Sequence, residues 1–384
     1  MAEAHCTHPF DRRERSDLER RESRKWSLFP GTIGAWVAET DFGTAPAVKE
    51  ALHDAIDSDV LGYLATPLAK DLSETVGTWL ADQYNWRVEP KRIHHITDVL
   101  AGLRIATRFV TPGSPVIVPT PAYMPVLTLL PAIGHPVIEV PGAISEGRWQ
   151  HDLDGIDGAF SSGAELLFLC NPQNPTGTVL TRPELENIAK VVDKHGGRVF
   201  ADEIHAPLRF DGLPHIPYAA LNDTTAGHTV TATSTSKAWN VPGLKAAQLI
   251  LSNDEDQEKY RREALGAPFE ASTLGVIAAN AAYRDGREWL AEKLDYLAQH
   301  RAFLQRLLAE HAPSIRWQPN EATYLAWLDL GEPVPDAAAK FREAGVALTP
   351  GRACGQGYDN FVRLTYATPK PILTDAITRI GRAL

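Results

Sequence analysis

Cysteine is scarce in this chain, and its scarcity removes one class of architecture. Three thiols in 384 residues, Cys6, Cys170 and Cys354, are too few and too far apart for an evenly paired disulfide framework, which points to a reducing, cytoplasmic setting. No run of 18 apolar residues occurs, and Met1 to Arg24 is polar and charged without an apolar centre, so neither a membrane span nor a secretory leader is expected. Internal repeats and low-complexity segments are also missing. Positive charge is in deficit: 38 Lys and Arg against 48 Asp and Glu leave a net charge of -10, which argues against nucleic acid or an anionic membrane as partner. The basic residues Arg12, Arg13, Arg15, Arg20, Arg21, Arg24 and Lys25 are interleaved with Asp and Glu, and read as a solvated amphipathic arm.

The 44% hydrophobic and 22% charged fractions are those of a globular protein, in a chain longer than a single core fills. Two lobes with a cleft for a small metabolite are therefore expected. Short β-rich runs recur at Pro115 to Pro119, Pro136 to Val140, Glu165 to Cys170, Arg198 to Ala201, Thr229 to Thr233 and Ala247 to Leu251. Most are apolar at consecutive positions, as in strands covered on both faces. Helical patterns lie between them at Ala122 to Ala132 and Arg182 to His195, the latter opening with Thr181 as N-cap and Pro183 in the first turn. This alternation predicts an α/β fold with a mostly parallel sheet that binds ligands at the carboxyl ends of its strands. Phe269 to Ala312 predicts one long helix, or two joined near Gly286. Beyond Pro313, strand-like runs at Tyr324 to Leu330 and Phe361 to Tyr366 alternate with helical patterns, as in a smaller α+β domain. The expected division is an arm over 1–45, packing on the small domain or on a partner subunit, a large domain over 46–285 and a small domain over 286–384.

Three polar motifs fall at successive strand ends. Asn171-Pro172-Gln173-Asn174-Pro175-Thr176-Gly177 must leave the sheet in a tight turn. Asp202-Glu203-Ile204-His205 puts a carboxylate where hydration is poor, so the Asp either caps the next turn or needs a cation, and a protonated pyridine nitrogen is one such cation. No second His or carboxylate stands at metal-binding spacing, so no metal centre is expected. Ser234-Thr235-Ser236-Lys237-Ala238-Trp239-Asn240 carries a lysine that is either a surface residue or an amine able to form an imine with an aldehyde.

Together the three motifs resemble the site of the class I/II aminotransferase superfamily, enzymes dependent on pyridoxal 5′-phosphate (PLP). More narrowly, the chain is similar to the cystathionine β-lyase, or C-S lyase, branch. The matching segments are Lys25-Trp26, Trp36 to Phe42, Leu61-Gly62-Tyr63, the double Asn-Pro motif, Ala201 to His205, and Ser236-Lys237 through Gly243-Leu244-Lys245, which together span nearly the whole chain. The resemblance implies the aspartate-aminotransferase-like fold (PLP fold type I), with a seven-stranded type of sheet and a smaller α+β domain. It also implies a homodimer with composite active sites.

The resemblance further implies roles. Lys237 would carry PLP as a Schiff base and then take the substrate Cα proton. Asp202 would pair with the pyridinium nitrogen, and Asn174 with the ring 3′-oxygen, with His205 nearby. Tyr123 would stack on the ring, although it could equally be a core residue at a helix start. The N-H groups of Val99 and Leu100 at a helix start, with Ser234, Ser236 and Lys245, would hold the phosphate, helped by Tyr63 of the neighbouring subunit. Arg363, with Trp36 and Asn174, would bind the carboxylate of an L-amino acid, a task that suits a planar bidentate fork. The implied reaction is β-elimination from cystathionine or another cysteine S-conjugate, giving a thiol, pyruvate and ammonia. The alternative is an aminotransferase or a related PLP enzyme of secondary metabolism. Four residues depart from the branch's usual pattern: Trp239, Pro242, Pro207 and Asp98. A carboxylate at 98 would repel a phosphate unless it turns outward or caps the helix.

Overall fold

The computed structural model describes residues 8–210, 212 and 215–384, so Cys6 and the first seven residues of the arm lie outside the described residues. Seven short strands build the central sheet: β1 (Ile93–Ile96), β2 (Val116–Thr120), β3 (Val137–Pro141), β4 (Leu166–Cys170), β5 (Arg198–Asp202), β6 (Thr229–Thr233) and β7 (Ala247–Leu251). Their order is β1-β7-β6-β5-β4-β2-β3, with β7 antiparallel to both neighbours and every other pair parallel. The six apolar runs are six of these strands. The seventh, β1, has His94 and His95 at its centre, and its hydrophobic pattern gives no strand signal. It is held at the sheet edge by β7, by a 3.0 Å contact from His94 Nε2 to Gln257 Oε1, and by a 2.7 Å contact from His95 Nε2 to the Ala69 carbonyl.

Alternation along the strands explains why they are apolar throughout. Val116, Val118, Leu166, Phe168, Phe200 and Val230 join one buried cluster, while Ile117, Leu167, Leu169, Val199 and Ala201 join another on the opposite face. Each such aliphatic side chain contributes about 1.5–3 kcal/mol by leaving water.

The sheet topology brings the functional loops to one edge. The carboxyl ends of β1, β2, β4, β5 and β6 point the same way, because β7, antiparallel to both β1 and β6, makes those two parallel. The amino end of β7 therefore joins them there. Helix α1 (Val99–Ala106) starts just after β1, and α2 (Met124–Ala132) starts just after β2. Helix α3 (Arg182–Lys194) opens with a capping box in which Thr181 N-H donates to Glu184 Oε2 at 2.7 Å, as Thr181 and Pro183 predict. The single turn α4 (Thr235–Ala238) follows β6.

Helices α5 (Thr273–Asp285) and α6 (Arg287–His311) meet at Gly286, so the Gly-poor segment is two helices. Beyond them, β8 (Leu325–Asp329), β9 (Thr349–Pro350) and β10 (Phe361–Thr365) form an antiparallel sheet in the order β8-β10-β9. The arm packs on these later elements of its own chain. Ile33 and Gly34 pair in parallel with Val346 and Ala347, and the Phe10 ring lies 5.3 Å from that of Tyr296. One expectation fails here: the basic arm is not wholly solvated. Lys25 is buried, its Nζ 2.7 Å from Asp41 Oδ2, and Trp26 Nε1 donates to the other oxygen of that carboxylate at 2.8 Å. Trp26 and Leu18 pull this part of the arm into the core and carry the lysine with them.

Candidate active site

A cavity of ≈ 220 Å³ opens at the functional edge of the sheet. Residues from six separate stretches line it: Ala38; Asp98, Val99 and Leu100; Tyr123; Cys170 and Asn174; Asp202, Ile204 and His205; and Ser234, Ser236, Lys237 and Lys245. Ten of the residues expected from sequence therefore share one wall. Three do not. Trp36 turns its indole to the Lys25 carbonyl at 3.1 Å and contributes only its own carbonyl, which accepts from Arg363 Nη2 at 2.8 Å. Tyr63 is 97% exposed, away from this cavity. Arg363 stands behind the wall, reaching Asn174 Oδ1 with Nη1 at 3.0 Å.

Each side chain is set by its strand. Asp202 is the last residue of β5, paired across from Cys170 of β4 and Ala232 of β6, and is 5% exposed. Its carboxylate accepts from the Ile204 N-H at 3.2 Å. Burial pushes its pKa up to about 7, and that hydrogen bond and Lys237 only partly offset the shift. His205 is pushed down to about 3 by burial, then by Lys237 and Arg363, so its ring is neutral, and its Nδ1 has no partner.

Lys237 lies in the middle of α4, whose N-cap is Ser234. The Ser234 hydroxyl accepts from Ser236 N-H at 3.1 Å and donates to the Ala246 carbonyl at 2.7 Å, which ties the turn to the start of β7. Lys237 Nζ donates to the Ala38 carbonyl at 3.0 Å. Burial lowers its pKa to about 8, Arg363 adds to the fall, and Glu39 and Asp202 oppose it. The segment around Ala38 is fastened to the same turn by Asn240, whose side chain bonds the Thr40 N-H at 2.8 Å and the Thr40 carbonyl at 3.0 Å.

Asp98 answers the question raised by its charge. Its Oδ1 caps α1 by accepting from Ala101 N-H at 2.9 Å, and its Oδ2 pairs with Lys245 Nζ at 2.9 Å. The carboxylate thus satisfies the third amide of the helix, and the amides of Val99 and Leu100 are left for another acceptor. Lys245 holds a left-handed backbone, φ 53, uncommon for a side chain of its kind and typical of functional turns.

The double Asn-Pro motif is more than a turn. Gly177 has φ 71, and a Cβ there would strike Asn320 and the Ala322 carbonyl. The Gly177 carbonyl instead accepts from the N-H groups of Glu321 and Ala322 at 3.1 and 2.9 Å. Only glycine permits that approach, which joins the Asn174 loop to the segment leading into β8.

A family model for aminotransferase class I and II matches residues 36–380. The chain belongs to that family. Within it, the chain falls in the cystathionine β-lyase branch. Cystathionine beta-lyase of Corynebacterium glutamicum is 36% identical over 376 residues, covering 97% of this chain and 99% of the relative. A solved structure from Corynebacterium diphtheriae, of a protein proposed to be a PLP-dependent beta-cystathionase, matches with a TM-score of 0.90 at 38% identity, covering 97% and 98% of the two chains. Cystalysin from Treponema denticola, which contains PLP, matches with a TM-score of 0.89 at 26% identity, covering 98% of both chains. The fold is aspartate-aminotransferase-like, as the motifs imply, and the family depends on PLP.

The residues in the cavity fit that cofactor. Asp202 is a carboxylate whose pKa burial raises to about 7, with the Ile204 N-H and Lys237 offsetting only part of the shift, and a protonated ring nitrogen would supply a further cation. The two uncapped amides of α1, beside Lys245, form an anion site of the kind a phosphate needs. Lys237 is a lysine whose pKa has fallen far enough for its amine to react with an aldehyde.

Sequence reasoning missed the Ala38 carbonyl, the Asn240 clasp and the wall residues Cys170 and Ile204. Backbone acceptors leave no mark in a sequence. Ile204 was visible inside its motif but looked like an ordinary apolar residue. Among the described residues no group of three or more His, Cys, Asp or Glu side chains could hold a metal, and no helix is long and apolar enough to cross a membrane.

Proposed function

We propose that this chain is a PLP-dependent carbon-sulfur β-lyase that cleaves cystathionine or another L-cysteine S-conjugate to a thiol, pyruvate and ammonia. The observation that carries this reading is the shared wall of Lys237 and Asp202, an amine with a lowered pKa and a buried carboxylate with a raised one, within a single cavity. The naming of its 36% identical relative as a cystathionine beta-lyase favours elimination over amino transfer.

When bound, PLP supplies an electron sink for the pair released at the substrate Cα. Asp202 holds the proton of the ring nitrogen by charge pairing in a dry site. Lys237 Nζ, whose pKa burial lowers to about 8, would hold the cofactor and would serve as the base for the substrate Cα proton. Asn174, Tyr123 and His205, which line the same cavity, would hold the ring, Asn174 by its amide, Tyr123 by its aromatic face and neutral His205 as a hydrogen-bonding group.

Lys245, Ser236 and the Val99 and Leu100 amides take the phosphate. Arg363 receives the substrate carboxylate. Its acceptors, Asn174 Oδ1, the Trp36 carbonyl, Thr349 Oγ1 and Met124 Sδ, are all neutral, and its Nε has no partner, so a buried guanidinium, 2% exposed, meets no anion among the described residues. Trp36 serves by fixing Arg363 through its carbonyl.

The division into an arm (1–45), a cofactor-binding domain (46–285) and a small domain (286–384) belongs to the same proposal. So does a cytoplasmic homodimer. Tyr63, exposed beside the exposed Leu61, would reach the partner's phosphate site, and the free, buried thiols Cys170 and Cys354 suit a reducing compartment.

The test is a turnover assay with S-substituted cysteines and no 2-oxo acid. Pyruvate and free thiol in equal amounts support the lyase. Conversion that requires a 2-oxo acid and accumulates pyridoxamine phosphate overturns it in favour of an aminotransferase.

A further inference from the structure

Helix α6 buries a lysine where its pattern calls for an aliphatic residue. Leu290, Lys293 and Leu297 follow one another at spacings of three and four on the inward face, and Lys293 is 0% exposed. Its ammonium meets no carboxylate within ion-pair distance among the described residues; its Nζ donates instead to the Ala238 carbonyl at 2.6 Å and to the Lys237 carbonyl at 3.2 Å. The Trp289 and Tyr324 rings lie 5.3 and 5.4 Å from Nζ, offering their faces to the charge.

These two carbonyls are the last of α4, the four-residue turn that carries Lys237. So short a helix has almost no internal hydrogen bonding, and a cation at its carboxyl end both satisfies the open carbonyls and favours the dipole. The same environment touches the amine from the other side. Tyr324, whose ring faces Lys293, donates its hydroxyl to the Ala38 carbonyl at 3.2 Å, the acceptor that also holds Lys237 Nζ. One buried lysine thus contacts the backbone of Lys237 directly and, through Tyr324, reaches the acceptor of its side chain.

We propose that Lys293 is a positioning residue for Lys237, an internal clamp that fixes the α4 turn and hence the direction from which the amine approaches the substrate Cα. This inference rests on the proposed role of Lys237. Burial lowers the Lys293 pKa to about 7, so the group bears a real cost that a filler residue would not. A hydrophobic side chain of equal length would pack as well and leave both carbonyls unpaired.

The test compares holoenzymes carrying Lys293→Met, Lys293→Gln and, as a packing control one turn along, Leu297→Ala. Steady-state kinetics and the pH titration of the visible absorption of bound PLP are measured for each. The charged groups facing the Lys237 amine, Arg363, Glu39 and Asp202, are unchanged in all three, and Lys293→Met and Lys293→Gln remove the same charge, so a difference in midpoint between those two reports a moved amine rather than a lost field.

Lys293→Met is expected to lower kcat by about 10- to 100-fold with KM within about twofold, the cost of a displaced catalytic group, and to shift the titration midpoint. Lys293→Gln, which keeps amide donors for the two carbonyls and remains the measurable variant if the Met form does not fold, should recover part of both. Leu297→Ala should lose thermal stability with the titration unmoved. Normal kcat and an unmoved midpoint in Lys293→Gln and Lys293→Met refute the clamp. Failure of wild type to release pyruvate or to yield a reduced adduct at Lys237 would instead refute the functional reading beneath it.

Discussion

Replacing Asp202 by Asn should stabilise the cofactor-free protein while crippling the enzyme. The folded carboxyl is carried from 3.8 to about 7, chiefly by burial, and at about 1.4 kcal/mol per pH unit its ionised form costs the fold about 4 kcal/mol. Between those two values the native state holds a proton that the unfolded chain has released, so stability falls as pH rises through the window and levels off above it. Asn has the same shape, keeps an oxygen for the Ile204 N-H and never ionises.

The stability gap between Asp202→Asn and wild type should therefore be under about 1 kcal/mol near pH 4 and grow to about 4 kcal/mol at pH 8. Urea unfolding of both cofactor-free proteins across that range reads it directly. With PLP present the sign reverses. The pyridinium recovers the buried charge, so the variant should bind PLP more weakly by up to about 10³-fold, the factor that 4 kcal/mol represents. A gap that does not change with pH, or a variant less stable than wild type at pH 8 without cofactor, would refute the argument that this carboxylate waits for a cation.

Lys237→Ala should release no pyruvate, and borohydride reduction followed by peptide mapping should find no adduct on the 234–240 peptide. Arg363→Lys should lower kcat/KM by about 10²-fold, mostly through KM, because a point charge cannot reproduce a bidentate fork; unchanged KM would count against its role as carboxylate anchor. Asp98→Asn keeps the helix cap and removes the charge beside Lys245, so titration with PLP should show affinity rising about three- to tenfold, and a fall would mean that Asp98 assists phosphate binding. Tyr63→Phe should weaken PLP binding about tenfold if it donates across a dimer, and sedimentation should show the dimer intact.

The site was far more legible in the sequence than the structure that positions it. Taken singly, an Asn-Pro turn, an acidic residue after an apolar strand and a lysine amid hydroxyls each suit an ordinary turn, cap or surface, and it is their order at successive strand ends that points to chemistry. Thr181 and Pro183 marked the start of α3, where the structure adds Glu184 to complete a capping box, and Gly286 marked the join of α5 and α6. β1 escaped notice because two histidines occupy its centre and find partners only through Ser73, Ala69 and Gln257, from distant parts of the chain.

Lys25 was misjudged for a related reason. A lysine among arginines looks solvated until Asp41 and Trp26 are known to enclose it. Lys293 did leave a trace, as the one cation in an apolar stripe, though its target, a pair of carbonyls, is invisible to any pattern of side chains.

The Trp36 carbonyl leaves the ribosome 327 residues before the guanidinium it is to receive. Such a long separation means that no nascent chain can close the substrate pocket until its last strand has emerged, and until then the arm and the cofactor wall must be kept apart from other apolar surfaces. Chains that end early, before Arg363, would retain the whole central sheet yet lack the guanidinium proposed to grip the substrate carboxylate.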